Sequence, residues 1–225
     1  MQDRNLSSNA TLQVPFPISA KLALGEAPSI KEPLLIGSWV IWLEQRPNEG
    51  GRTTAVIRPW GRKDLVPQEL TPYPITVRSR IHVYGGGAFT ASIQEKKLLI
   101  AWIDHTNGCL WSQSFFINSQ INIDKGRFFK SSSNPICLSI KNDNFLGGGI
   151  IDISRQNWIG ILEKDGKDSI VSFDLNKENQ NPRIIHSAMD FAGYPILNRD
   201  YDQIAWVEWQ QPSMPWDSSQ LWWGR

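Results

Sequence analysis

The chain of 225 residues has no apolar run long enough to span a membrane; its longest, Trp39 to Leu43 and Leu98 to Ile103, fall far short of the ~18 residues a span needs. It has no excess of one charge. Its 23 Lys and Arg against 22 Asp and Glu leave a net charge of +1, so nothing advertises nucleic acid or a membrane surface as a partner. It has only two cysteines, Cys109 and Cys137, too few for a disulfide framework or a zinc motif, which points to two thiols in a reducing compartment. No apolar stretch follows the single Arg of the first residues, so a secretory leader is not expected and a cytoplasmic location is. What is abundant is tryptophan, eleven residues, beside 17 Gly and 14 Pro. That mixture favours many short strands and turns over long helices.

The strands repeat. Ser38–Arg46, Lys97–Asp104, Asn157–Asp165 and Gln203–Gln210 are each rich in Trp, Ile, Leu and Val, as strands buried on both faces are. A second strand follows each one, at Thr53–Pro59, Gly108–Phe115, Ser169–Leu175 and Gln220–Gly224. A further strand precedes them, at Gly85–Ser92, Gly147–Ser154 and Tyr194–Asn198, and less distinctly near Ile30–Ile36. Taken from Trp39, Leu98, Trp158 and Ile204, the spacings are 59, 60 and 46 residues. Propeller blades run roughly 40–50 residues, so the first two units carry an extra loop. The expected fold is all-β: an incomplete β-propeller of about four blades, each of three to four antiparallel strands, over residues 29–225, preceded by an N-terminal segment 1–28. Gly85-Gly86-Gly87 and Gly147-Gly148-Gly149 precede innermost strands, where converging backbones leave no room for a side chain. A β-sandwich is the structural alternative.

Three stretches carry a resemblance: Trp42-Leu43-Glu44-Gln45-Arg46-Pro47-Asn48-Glu49-Gly50-Gly51-Arg52-Thr53; Glu69-Leu70-Thr71-Pro72 with Val77-Arg78-Ser79-Arg80-Ile81-His82-Val83-Tyr84-Gly85-Gly86-Gly87-Ala88-Phe89; and Trp206-Val207-Glu208-Trp209 with Pro212-Ser213-Met214-Pro215-Trp216-Asp217. The chain resembles the N-terminal propeller of the prolyl oligopeptidase family of serine peptidases, in its dipeptidyl aminopeptidase and acylaminoacyl-peptidase branch. The resemblance implies a propeller of seven or eight blades that filters peptides, followed by an α/β-hydrolase domain with a Ser, Asp and His triad. Residues 1–225 hold about four blades and no catalytic domain. This sequence departs from the family at Val83, where a Glu is usual, and at Ser218, where a Gly is usual. It also has Asn198-Arg199-Asp200-Tyr201-Asp202 in place of a Ser-Pro-Asp-Gly turn.

No catalytic residue is expected in the chain. The Gly-x-Ser-x-Gly elbow of an α/β-hydrolase is missing. His82, His105 and His186 lie in three different units, and Asp104-His105 reads as a strand end opening into a turn. Gly160–Lys167 is off-register for a phosphate loop, and Lys164-Asp165-Gly166-Lys167 reads as a hairpin turn. No cofactor and no metal are expected. The candidate binding residues are Arg78, Arg80, His82 and Tyr84, spaced by two and so on one side of an extended segment, together with Trp216 and Asp217 in a rigid loop. Paired Arg forks suit carboxylates, such as an acidic peptide residue; alternatively they brace neighbouring blades through Asp217 or Glu44.

Half a ring leaves two blade faces without a neighbour, and these are expected to be rich in Trp, Leu and Ile. Three roles follow: a substrate-gating but non-catalytic piece, with peptide as partner only when a catalytic domain completes it; half of a split peptidase completed by a second chain; or a free-standing module that binds peptides or proteins. Self-association through the open faces belongs to each.

Overall fold

The computed structural model describes residue 19 and residues 27–117, 127–141 and 144–225. The segment 1–28 falls almost wholly outside the described residues. The rest forms four antiparallel sheets in chain order. The first contains β1 (Ser29–Ile36), β2 (Trp39–Arg46), β3 (Arg52–Pro59) and β4 (Gln68–Glu69). The second contains β5 (Phe89–Gln94), β6 (Lys97–Ile103), β7 (Leu110–Ile117), β8 (Phe129–Ser131) and β9 (Ile136–Cys137), the last two both pairing with β7. The third contains β10 (Phe145–Asp152), β11 (Asn157–Lys164), β12 (Lys167–Asp174) and β13 (Arg183–Ser187). The fourth contains β14 (Phe191–Leu197), β15 (Ile204–Trp209) and β16 (Gln220–Gly224). Helical structure among the described residues is limited to one 3-10 turn, Pro47–Glu49, and no helix is long and apolar enough to cross a membrane.

The sheets are propeller blades. The first strands β1, β5, β10 and β14 lie innermost, each packing on the next. The middle strands β6 and β11 are buried on both faces because a neighbouring blade covers each face. On β11, Trp158 and Leu162 enter a core shared by the first three blades, while the intervening Ile159 and Ile161 enter a second core with Ala192, Ile204 and Trp206 of the fourth. A period of two thus divides one strand between two interfaces.

Several strand ends differ from the sequence reading by one or two residues, Gly147, Gly148 and Gly149 lie inside β10 and not before it, and two strands differ more. The strand expected at Gly85–Ser92 begins at Phe89, since Gly85, Gly86 and Gly87 take φ of 77°, 113° and 56°, outside strand geometry. The strand expected at Tyr194–Asn198 begins three residues earlier, at Phe191, and Tyr194 (φ 57°) is the bulge within it. The fourth residue of β1, β10 and β14 is in each case a left-handed bulge: Glu32, Gly148 and Tyr194. The Lys164–Lys167 turn is as read: Lys164 pairs with Lys167 across Asp165 and Gly166, both with positive φ.

The two glycine triplets meet. The Gly148 N–H donates to the Gly87 carbonyl at 3.0 Å. A Cβ on Gly87 would lie 2.4 Å from the Gly148 nitrogen. The segment leading into β5 is therefore in backbone contact with β10, the crowding that the glycines imply.

The two terminal blades are finished differently. The fourth presents Ile196, Leu221 and Trp223 on the face away from the third blade, each more than 60% exposed. The equivalent face of the first blade is bare only along Ile30 and Leu35 of β1. Its Trp42 and Val56 are buried, with the Arg58 guanidinium 5.5 Å from the Trp42 ring centre. Beyond them lies an ion-pair network. Arg46 reaches Glu44, Glu49 and Glu69, and Arg52 reaches Glu49 and Glu69 at 2.6 Å each. The expectation of two apolar flanks holds fully for the fourth blade and only at the inner edge of the first, where charged side chains replace a neighbour. Tryptophan divides likewise. Trp42, Trp102, Trp158 and Trp206 are core, but Trp60, Trp216, Trp222 and Trp223 are exposed.

Candidate functional site

The connection from the first blade to the second is a strap, Thr76–Tyr84. Val77 bridges Asp104, the Arg78 N–H donates to the Ile103 carbonyl at 3.0 Å, and the His105 N–H donates to the Thr76 carbonyl at 2.8 Å. The Ser79 hydroxyl donates to the Leu146 carbonyl and accepts the Ile81 N–H. The strap therefore crosses the end of β6 and the start of β10. Its alternation is that of an extended chain: Val77, Ser79 and Ile81 are buried, while Arg78 and Arg80 face out.

Arg78 and Arg80 border one cavity of about 340 Å³, with His105, Asn107 and Lys141 among its other polar lining and Ile103 and Phe145 among its apolar walls. Among the described residues neither guanidinium has a side-chain partner. The bracing partners suggested by the sequence are engaged elsewhere: Glu44 accepts from Arg46 Nε at 2.9 Å, and Asp217 accepts the Met214 N–H at 3.1 Å. The buried Nδ1 of His105 makes no hydrogen bond. Burial lowers the His105 pKa below its ordinary value, and the charges of Arg80 and Arg78 lower it further.

His82 and Tyr84 leave that face. His82 and Val83 adopt φ of 50° and 70°, and the strap turns. His82 Nε2 then meets the buried Asp168 carboxylate at 2.8 Å, while its backbone N–H donates to Glu163. The same carboxylate accepts the Ala192 N–H at 2.8 Å. One Asp thus ties the strap and the fourth blade to the third. The Asp168 hydrogen bond raises the His82 pKa, against the opposing effect of burial. Tyr84, 84% exposed, borders a second cavity with Lys31 and Ser79, and Arg78 lines that cavity too. Of the four residues read as one face, Arg78 shares one cavity with Arg80 and another with Tyr84, and His82 is a brace.

Trp216 and Asp217 lie in the loop between β15 and β16. Trp216 is exposed, and Asp217 closes the turn on Met214, remote from the arginine cavity. Sequence reasoning missed Asp168, which carried no motif. It also missed Glu208, a buried carboxylate that accepts the Trp206 indole N–H at 2.6 Å, with His186 Nε2 at 2.6 Å from the same oxygen. The only available signal was the Trp-x-Glu spacing, which places both side chains on one face of β15.

Among the described residues no serine or cysteine is hydrogen-bonded to a histidine side chain, and no group of three His, Cys, Asp or Glu has metal-binding geometry. The propeller carries a cationic cavity and an exposed apolar blade face.

No protein-family profile matches the chain, and neither does any curated protein sequence. Solved structures do match. Two structures of puromycin hydrolase, one of them of its S511A mutant complexed with PGG, superpose with TM-scores of 0.74 and 0.75 at 21% identity, over 92% of this chain and 32% of theirs. A puromycin-hydrolyzing peptidase of Mycobacterium tuberculosis superposes with a TM-score of 0.69 at 19% identity, over 87% of this chain and 30% of its own. The fold is that of a four-blade β-propeller portion. The chain spans about a third of the length of the peptidases it resembles.

Proposed function

We propose that this chain is the propeller portion of a serine peptidase of the prolyl oligopeptidase type, in the dipeptidyl aminopeptidase and acylaminoacyl-peptidase branch, and that by itself it gates or recognises peptides without cleaving them. The observation that carries this reading is the superposition of nine-tenths of the chain on about a third of each puromycin-hydrolysing enzyme. The Arg78–Phe89 and Met214–Asp217 stretches, quoted above for their resemblance, support it. So does the absence of any serine–histidine couple among the described residues. A cytoplasmic location accords with two free thiols.

The bare outer face of the fourth blade favours a second reading alongside the first: further blades, from the same or another polypeptide, complete the ring and bring the hydrolase domain. The purified chain is expected to leave aminoacyl and acylaminoacyl p-nitroanilides uncleaved. Turnover abolished by a serine-directed phosphonate would overturn the non-catalytic assignment. Co-purification with a chain carrying the triad would establish the split enzyme.

A further inference from the structure

The cavity under the strap gathers two arginines without acidic partners. Several other arginines meet acids: Arg46, Arg52, Arg62 and Arg155 pair with carboxylates, while Arg58 lies over the Trp42 ring and Arg183 donates to the Ser172 hydroxyl. Arg78 and Arg80 meet no acid among the described residues, although the chain holds almost as many acidic as basic residues. Lys141 adds a third cation to the rim, and no carboxylate is among the described lining residues. A second, independent sign is the orphaned Nδ1 of His105. A buried polar nitrogen without a partner is costly, and such groups are ordinarily satisfied in the state that functions. A third is Asn107, whose Oδ1 accepts the Cys109 N–H at 2.9 Å, leaving its NH₂ group a donor without a partner among the described residues.

The cavity therefore concentrates donors and positive charge with no carboxylate among the described residues to receive them. Guanidinium forks match carboxylates bidentately. Two Arg at a spacing of two in an extended strap present both forks to one ligand. The size and walls refine the chemistry. A cavity of about 340 Å³ has room for more than a small ion, and Ile103, Phe145 and Leu146 give it an apolar side. That combination suits a carboxylate attached to a hydrocarbon body better than free phosphate.

We propose that this cavity is a carboxylate site for peptides, taking an acidic side chain or a C-terminal carboxylate between Arg78 and Arg80. The assignment stands apart from the peptidase reading, since it concerns what the isolated chain captures and not what is cleaved; an inert chain in hydrolysis assays leaves it intact.

Four probes test it on the full chain by NMR, following the amides of Thr106 and Gly108 and the ring of His105: N-acetyl-glutamate amide, N-acetyl-glutamine free acid, the neutral N-acetyl-glutamine amide, and inorganic phosphate. One or both carboxylate probes are expected to titrate these signals, and which one does so names the source of the carboxylate. The neutral amide should not. Arg78→Gln and Arg80→Gln should each weaken the carboxylate probe about tenfold or more, as loss of a charged hydrogen bond does, with unchanged melting temperatures because neither side chain has a protein partner. Arg80→Lys should fall between. Equal response to the neutral amide, unaltered titration in both Gln variants, or a response to phosphate alone would each overturn the proposal.

Discussion

His82 shows how much one side chain of the strap carries. Its contact with buried Asp168 is made by the protonated imidazole, whose pKa that contact lifts above the ordinary value of 6.5. Protons therefore bind the native state more tightly than the unfolded one. The stabilisation is complete below pH 6.5 and is lost as pH rises through the raised native value. The partial exposure of the ring limits its size. His82→Ala is expected to cost about 1 kcal/mol more at pH 6 than at pH 9, read from urea melts at the two pH values; an equal loss at both would assign the contact to packing alone. The alternation from Val77 to Ile81 was legible in the sequence, because a period of two needs only residue types. The turn at His82 and Val83 was not. Neither residue favours a left-handed backbone, and the partner that stabilises it lies 86 residues away.

At the level of strands, the repeat was readable from the middle strands, whose Trp, Ile and Leu must fill two interfaces each. The innermost strands were harder. The bulge that β1, β10 and β14 share falls on Glu32, Gly148 and Tyr194, three residue types with nothing in common, since the bulge answers to backbone crowding around the axis and not to residue preference. The outermost strands β4 and β9, of two residues each, leave no periodic trace at all. The glycine triplets did announce themselves, and their meeting gives a quantitative expectation. Gly87→Ala places a methyl group 2.4 Å from a backbone nitrogen and strains a φ of 56°. Gly166→Ala meets open space at a φ of 73°. The first is expected to lose roughly 3 kcal/mol or more and the second about 1 kcal/mol, by thermal or urea unfolding. Equal losses would mean that the blade contact is not tight.

For the molecule as a whole, the number of blades was legible from spacing, while the unequal finish of its two ends was not. The charges at the first blade come from β2, the 3-10 turn, β3 and β4, so only their three-dimensional convergence makes them a cover for that blade. The fourth blade has no such cover. Its Leu221 and Trp223 lie on a face with Ile196, the kind of patch that marks association. The chain is expected to show concentration-dependent self-association in sedimentation velocity, and Leu221→Lys with Trp223→Lys to abolish it with little change in melting temperature, since both side chains are exposed. A monomer at all concentrations would refute this.

The division of β11 between two cores has a consequence for how the molecule comes apart. Each blade is held by its neighbours and by nothing more distant, so rupture spreads from sheet to adjoining sheet as in a row of stacked plates. The third blade belongs to both cores and is the last from which both supports can be withdrawn. The fourth, gripped on a single side, is where fraying starts.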